Sequence, residues 1–466
     1  MPGNLTLTAM LPEHFLLSGI VLLIIAEIAR KGSKLGLWIG LAAVIAAATS
    51  AGWLAANDLS SQPFPWHFSV TPAVLTAKAL LLALAVPVVL MSRTEFSDGE
   101  FNILLLSSLY GLCLLPSADS LLVLFLGLEL MAMPVYALIL LAFRRPESAE
   151  SALKYLVLSG AASATFLLGV SLLYGSTGTL TVNAFAPLIT SSDLMARAAV
   201  VCVLLALFLK AAVVPFHMWA PDTYEGASVP VTAYMATLTK GAVLLAAVQL
   251  FGNASLADPS ARYVMELMAA LPLVSIVWGN LTAMRQTSFR RMIAYSSIAH
   301  AGYLFYAFLG TPQGRWQAVL FYIVAYSAAN LLAFAMMPVH EDDAARDRLD
   351  TLDGLFHRDP MAASLIAVAM LSLAGLPPFP GFTAKFVIFR SVVAAGFSTY
   401  ALLGLLGSFL GLFFYLRVIQ RMFMRESTVS AAVPPRAITG VGFARLAGVL
   451  CLAATLLLTI LPGWML

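Results

Sequence analysis

Four ionisable residues stand inside apolar runs long enough to cross a lipid bilayer. Glu129 lies in LLVLFLGLELMAMPVY and Lys210 in LLALFLKAAVVPFHMW; Lys240 sits midway along VPVTAYMATLTKGAVLLAAVQLF, and Lys385 in PGFTAKFVIF. A charge at the bilayer centre costs about 2.5–3.5 kcal/mol on the insertion scale, so four unpaired ones would cost roughly 10–14 kcal/mol. Internal ion pairs or snorkelling lysines that pin helix packing are one reading. The other is a proton pathway. Desolvation drives a buried lysine toward neutrality, and a nearby carboxylate restores the charge. At about 7 Å and an effective dielectric of about 20, one carboxylate is worth roughly 2.4 kcal/mol, enough to switch the amine between holding and releasing a proton. Three lysines and a glutamate on separate runs, two of them near the helix breakers Pro134 and Pro215, favour the pathway.

Other polar residues in these runs are weaker signals. His300, in YSSIAHAGY, is either a proton relay or a core histidine satisfied by a carbonyl. Lys154 begins a run beside Arg144, Arg145, Glu147 and Glu150 and reads as a snorkelling side chain; Lys78 likewise lies within reach of an interface. His217 and Trp219 close a run and read as interface residues, while Asp222 and Glu225 read as loop or capping acids. Trp38, Trp53, Trp316 and Trp464 read as interface anchors.

The scaffold that must hold these groups follows from composition. Of 466 residues, 61% are hydrophobic and only 11% charged, with a mean hydropathy of +0.92. Soluble domains carry about 25% charged residues, so a water-soluble protein is excluded. The basic residues come singly or in pairs between apolar runs, which argues against nucleic acid. Cys113, Cys202 and Cys451 sit in apolar stretches without metal-ligand spacing. No Walker motif, GxGxxG or CxxC occurs, so no cofactor is expected on this chain.

Spans are expected near 11–30, 35–56, 71–91, 100–116, 119–143, 151–175, 195–216, 229–251, 264–284, 290–310, 316–339, 360–394, 399–424 and 438–463. The fold class is therefore an all-α polytopic membrane protein of about fourteen transmembrane helices. The stretch 360–394 is too long for one straight span and carries GLPPFPG in its middle, which predicts a broken helix facing protein or water. Arg30, Lys31, Lys34, Arg93, Arg144, Arg145, Arg285, Arg290, Arg291, Arg346, Arg348, Arg358, Arg421, Arg425 and Arg436 fall in one set of loops. The alternate loops hold little beyond Arg197, Arg262 and Arg315, so the rich face is assigned to the cytoplasm and both termini to the opposite side. The first span is expected to be retained and not removed as a signal peptide. The hydrophilic stretch His340–Pro360 reads as a solvated loop, with docking of a peripheral partner as the alternative.

LKAAVVPFHMWAPDTYEG at the seventh span echoes LSLAGLPPFPGFTAKF at the twelfth, each with a Pro-Phe step and an intramembrane lysine. Five spans apart, the two copies would be inverted, a pattern of transporters built from repeats with broken helices.

At these residues the chain resembles the antiporter-like membrane subunits of respiratory complex I, and among them the NADH-quinone oxidoreductase subunit N family. The matching blocks are LGLEL (126–130), ESALKYLVLSGAASATFLLGVSLLYGSTGTL (150–180), LKAAVVPFHMWAPDTYEGASVPV (209–231), GNLTAMRQTSFRRMIAYSSIAHAGY (279–303), GLFHRDP (354–360) and LSLAGLPPFPGFTAKF (371–386). The resemblance implies fourteen helices, with two inverted five-helix repeats and broken helices at spans 7 and 12. The corresponding segments are 1–99 with three helices, 100–251 with spans 4–8, 252–426 with spans 9–13, and 427–466 with the last helix. It further implies that Glu129 pairs with Lys210, that Lys240 is the central proton site and that Lys385 leads to the exit. His300 falls where relatives carry a histidine, and Lys78 has no clear place in the family pattern. Electron transfer from NADH, with FMN, iron-sulfur clusters and quinone, would belong to partner subunits. This chain would lie in a bacterial inner membrane among lipid and the other hydrophobic, antiporter-like subunits. A Mrp-type cation/proton antiporter, a membrane-bound hydrogenase subunit and a non-pumping scaffold are the alternatives.

Overall fold

The computed structural model describes residues 7–29, 32–96, 99–142, 147–338, 347–426 and 440–466. Arg30, Lys31, Arg144, Arg145, Arg346 and Arg436, all assigned above to the positive loops, lie outside these residues, as does most of the first half of His340–Pro360.

The apolar runs form helices α1 (Leu11–Ile28), α2 (Gly32–Ala56), α3 (Pro72–Ser92), α4 (Glu100–Leu114), α5 (Leu121–Leu140), α6 (Glu147–Thr177) and α7 (Leu194–Ala211). After the short α8 (Trp219–Gly226) come α9 (Val229–Phe251), α10 (Arg262–Ala283), α11 (Phe289–Tyr306) and α12 (Arg315–Ala335). The chain ends with α13 (Pro360–Ala374), α14 (Pro380–Ala394), α15 (Ser398–Met424) and α16 (Val441–Ile460). Among the described residues, twelve helices are long and apolar enough to cross a membrane, which makes this a multi-pass membrane protein. One departure from an all-α chain is a two-stranded antiparallel hairpin, β1 (Ser61–Phe64) with β2 (Phe68–Val70), in the link between α2 and α3.

Helix starts follow ordinary capping chemistry. Thr71 accepts from the Val74 amide ahead of Pro72, Ser120 from Val123, Ser288 from Arg291 and Asp359 from Ala362 ahead of Pro360. α9 and α12 are enclosed on every side and form the centre of the bundle. The loops sort onto two ends. At one end Glu95 caps the Val229 amide, Arg290 reaches the Ala227 carbonyl and Arg417 donates to the carbonyls of Met284 and Gln286. At the other, His67 meets Ser120, Gln249 reaches the Pro116 carbonyl, and Arg315 donates to the carbonyls of Gly252 and Ala254.

The hydrophilic stretch departs from a solvated loop in its described half. Asp347 is buried and accepts from Ser288 and Arg290, and buried Asp353 accepts from Arg421 and lies 3.7 Å from Arg425 Nη1. A loop with unpaired acids would leave those arginines uncompensated at the helix ends; here the acids tie α11 and α15 together.

Both expected breaks are present. The seventh span stops at Ala211, five residues before its expected end, because Ala212 turns left-handed (φ +61°) ahead of Pro215. The twelfth span divides at Gly375, also left-handed (φ +81°), where α13 ends and α14 begins five residues later. α14 starts so close to the end of α13 that a Cβ on Gly381 would stand 1.8 Å from the Ser372 carbonyl oxygen. Gly381→Ala is therefore expected to lose about 2–4 kcal/mol of stability and most of the folded protein in membranes. Gly463→Ala, which meets open space, should leave the level of folded protein unchanged in the same immunoblot of urea-washed membranes.

Candidate proton-transfer site

Glu129 stands on α5 midway along its length, and Lys210 in the last turn of α7. Lys210 Nζ approaches Glu129 Oε1 to 3.1 Å. The two are brought together as expected, and the gross attraction at that distance is about 5 kcal/mol at an effective dielectric of about 20. Two serines on α6 complete the pair. Ser163 donates to Glu129, and Ser159 Oγ accepts from Lys210 Nζ at 2.8 Å. Four residues apart, they share one face of α6, a spacing visible in the sequence but masked by the low apparent value of isolated serines in an apolar run.

Lys240 follows directly on a widened turn. Residues Met235–Thr239 of α9 form a π-helical segment, a feature common at functional sites. Its polar backbone is covered locally, since Thr239 and Tyr224 both donate to the Met235 carbonyl (2.9 and 3.2 Å). Lys240 Nζ donates to Ser297 on α11 and lies 5.6 Å from the centre of the Tyr224 ring. Among the described residues no carboxylate pairs with it, in contrast to Lys210.

Lys385 answers the break in the twelfth span. Its Nζ donates to the carbonyls of Leu373 (3.2 Å) and Ala374 (3.0 Å), the last residues of α13, and to Ser408 Oγ at 3.0 Å. A positive charge at a helix C-terminus meets both the orphaned carbonyls and the negative end of the helix dipole. The ring of Tyr303 lies 4.9 Å from the same nitrogen. His300 is satisfied by hydroxyls, not by a carbonyl. Its Nδ1 lies 2.9 Å from Tyr322 Oη and its Nε2 3.2 Å from Tyr415 Oη, with Tyr415 bonded onward to Ser296. A cavity of about 10 Å³, at the threshold for a single water, is lined by His300, Tyr322, Tyr326 and Ser372. The Ser372 hydroxyl is buried there without a hydrogen-bond partner among the described residues.

Three weaker readings need correction. Lys78 does not reach an interface; it is fully buried against Glu13 at 2.6 Å. Trp219 is buried, and its Nε1 donates to the Leu209 carbonyl (3.0 Å), which also accepts from the Ala212 amide at the α7 break. Asp222 and Glu225 are not caps. Asp222 accepts from Lys154 Nζ (2.7 Å) and Arg291 Nη1 (2.8 Å), and Glu225 from Arg291 (2.9 Å).

A scan against family models matches residues 118–411 to the family described as NADH:quinone oxidoreductase/Mrp antiporter, TM. The chain is 35% identical over 465 residues to NADH-quinone oxidoreductase subunit N of Pelobacter propionicus, covering 98% of each. The chain belongs to the NADH-quinone oxidoreductase subunit N family. A second subunit N, from Laribacter hongkongensis, is 33% identical over 92% of this chain and 90% of its own. Among solved structures, a chain of respiratory complex I from Thermus thermophilus with bound aureothin superposes with a TM-score of 0.81 at 34% identity, covering 97% of both chains. A chain of the Mrp complex from Dietzia shares the fold, with a TM-score of 0.82 at 24% identity over 98% of this chain and 95% of its own. The blocks LGLEL, LKAAVVPFHMWAPDTYEGASVPV and LSLAGLPPFPGFTAKF read from the sequence carry Glu129, Lys210 and Lys385.

In this subunit N family member, Asp222 ties α6 to α11 through α8, outside the apolar spans. Burial raises its carboxyl pKa, but the hydrogen bonds from Lys154 and Arg291 outweigh that and hold it below the usual 3.8. A depressed pKa contributes stability above the unfolded value and loses it as pH falls through the folded one. Asp222→Asn is therefore expected to melt earlier than the natural chain at pH 7. The gap should close below about pH 4, as thermal unfolding of the purified complex across pH will show.

Proposed function

We propose that this chain is a proton-translocating subunit in the membrane arm of a bacterial NADH:quinone oxidoreductase. Electron transfer from NADH to quinone, with its FMN and iron-sulfur clusters, would take place in partner subunits. This chain would convert the resulting electrostatic or conformational signal into proton movement. The observation that carries the reading is the Glu129–Lys210 pair, an acid and a base held 3.1 Å apart inside a membrane domain next to a broken helix. Removing the carboxylate's influence from Lys210 favours release of its proton, and restoring it favours uptake. Lys240 serves as the central site, His300 with its tyrosines as the relay, and Lys385 as the group leading to the exit. The water-sized cavity beside His300 and Ser372 supports a relay toward the α13–α14 break.

In this reading α11 and the α13–α14 pair count as crossings with the twelve, giving fourteen. Residues 100–251 and 252–426 form two inverted repeats, flanked by 1–99 and by 427–466. The left-handed stops at Ala212 and Gly375, five spans apart, support that arrangement. The arginine-rich end faces the cytoplasm, so both termini are periplasmic. Leu126, Leu130 and Met133 are exposed on the helix face that carries Glu129, whose own side chain is 19% exposed. A carboxylate at that depth calls for a cover, which a neighbouring antiporter-like subunit would supply.

Lys240→Ala or Glu129→Ala is expected to lower proton pumping and coupled quinone reduction while assembly stays largely intact. Native gels stained for NADH dehydrogenase and probed for this chain establish assembly, and acidification of inverted vesicles measures pumping. Normal stoichiometry in the assembled variants would remove the channel assignment. Migration of the natural chain in a small band without NADH dehydrogenase would instead move it to a cation/proton antiporter or a hydrogenase.

A further inference from the structure

Away from those groups, the three N-terminal helices hold a fully buried acid–base pair of their own. Glu13, in the first turn of α1, and Lys78, about 9 Å along α3 from its start, are both completely shielded, with Nζ 2.6 Å from Oε1. The second carboxylate oxygen, Oε2, is also buried and accepts no hydrogen bond among the described residues. Among the described residues, Tyr110 and Cys113 of α4 also lie within electrostatic reach of Glu13. Toward the hairpin end, the buried Phe68 ring covers Lys78 with its centre 4.7 Å from Nζ. Immediately beyond Phe68 the side chains turn polar. Exposed His67 meets Ser120 Oγ at 3.2 Å, and Ser69 donates to Asp119 at 2.8 Å. Toward the interior, Leu81, one turn after Lys78, comes within 3.6 Å of where a Cβ on Gly241 would stand, next to Lys240.

A buried ion pair is a poor stabiliser, because desolvation consumes most of the Coulomb gain and a matched apolar pair would serve as well. The geometry here offers something an apolar pair cannot. Transfer of one proton breaks an N–H bond of the Lys78 ammonium and forms an O–H bond on the Glu13 carboxylate. The pair becomes an amine and a carboxylic acid, with no change in net charge and no further reactant. In a low-dielectric pocket the two neutral groups avoid the cost of burying ions, which favours the neutral state relative to its standing in water. We propose that Glu13 and Lys78 form a second proton-exchanging pair of this subunit, with Phe68 as the plug between it and the polar surface at His67 and Asp119.

The proposal rests on the proton-translocation reading above, and its test separates the two. Intact complex in inverted membrane vesicles is compared for the natural chain, Glu13→Gln, Lys78→Met, the Glu13→Gln/Lys78→Met double variant and Lys240→Ala. The expected result is that the single variants and the double variant all assemble and all lower the ratio of protons pumped to NADH oxidised by about twofold or less. A merely structural pair behaves differently: each single variant leaves a buried unpaired partner, while the double variant restores the natural ratio. That recovery would overturn the proposal. Should the double variant fail to assemble, Phe68→Ala decides, because opening the plug is expected to raise passive proton leak severalfold and an unchanged leak overturns the assignment. Normal pumping in the Glu13 variants with a defect in Lys240→Ala removes this pair alone. Normal pumping in Lys240→Ala as well removes the proton-translocation reading itself.

Discussion

Hydrocarbon supplies no hydrogen bonds, so a helix that ends inside the membrane must find partners for its terminal carbonyls within the protein. This constraint governs both breaks in the bundle. At the first, α7 stops at Ala211, and Trp219 from the following α8 donates to the Leu209 carbonyl. At the second, α13 stops at Ala374, and Lys385 from the following α14 donates to the carbonyls of Leu373 and Ala374. In each case the helix after the break caps the helix before it. The polar atoms that make a break tolerable are therefore local and built in, and they place a lysine beside each discontinuity.

The same economy explains why the ionisable groups sit among hydroxyls. Lys210 has Ser159 and Glu129, Lys240 has Ser297, Lys385 has Ser408, and His300 has Tyr322 and Tyr415. A hydroxyl donates or accepts according to the protonation of its neighbour, which an amide or a carbonyl cannot do. A lysine bonded to a serine keeps a partner whether it is an ammonium or an amine. Such an environment accommodates both states without backbone rearrangement, which is the requirement for a group that gains and loses a proton repeatedly. Lys385 differs in bonding two carbonyls as well. Its charged form is tied to the α13 terminus, so loss of that charge bears on the break itself.

Much of this was legible in the sequence because insertion cost is a sharp signal. Glu129, Lys210, Lys240 and Lys385 each interrupt an apolar run, and GLPPFPG announces a break by its proline content alone. What was not legible is pairing. Nothing in the local sequence of Lys78 points to Glu13, 65 residues away, because the contact depends on how α1 and α3 pack at the hairpin end. The serines of α6 and the tyrosines around His300 were equally hidden, since a hydroxyl in a membrane helix satisfies itself on its own backbone as readily as on a neighbour, as Thr165 does with Ala161. Asp347 and Asp353 look like loop residues by composition, and the arginines of α11 and α15 give them their place.

The placement of the charges along the bundle also bears on why α9 and α12 are wholly enclosed. α9 carries Lys240 on a widened turn, and α12 supplies Tyr322 to His300 and the Tyr326 ring 4.7 Å from the imidazole. A widened turn leaves backbone groups in non-standard positions, and here Thr239 and Tyr224 cover the carbonyl of Met235. If α9 faced lipid, that turn would expose polar backbone to hydrocarbon on one side and Lys240 would have only one flank of protein from which to draw partners. Enclosure by α3, α11 and α12 lets the helix carry both irregularities at once. The outer helices, with leucines and phenylalanines turned outward, isolate that polar interior from lipid and leave the Glu129 face partly open.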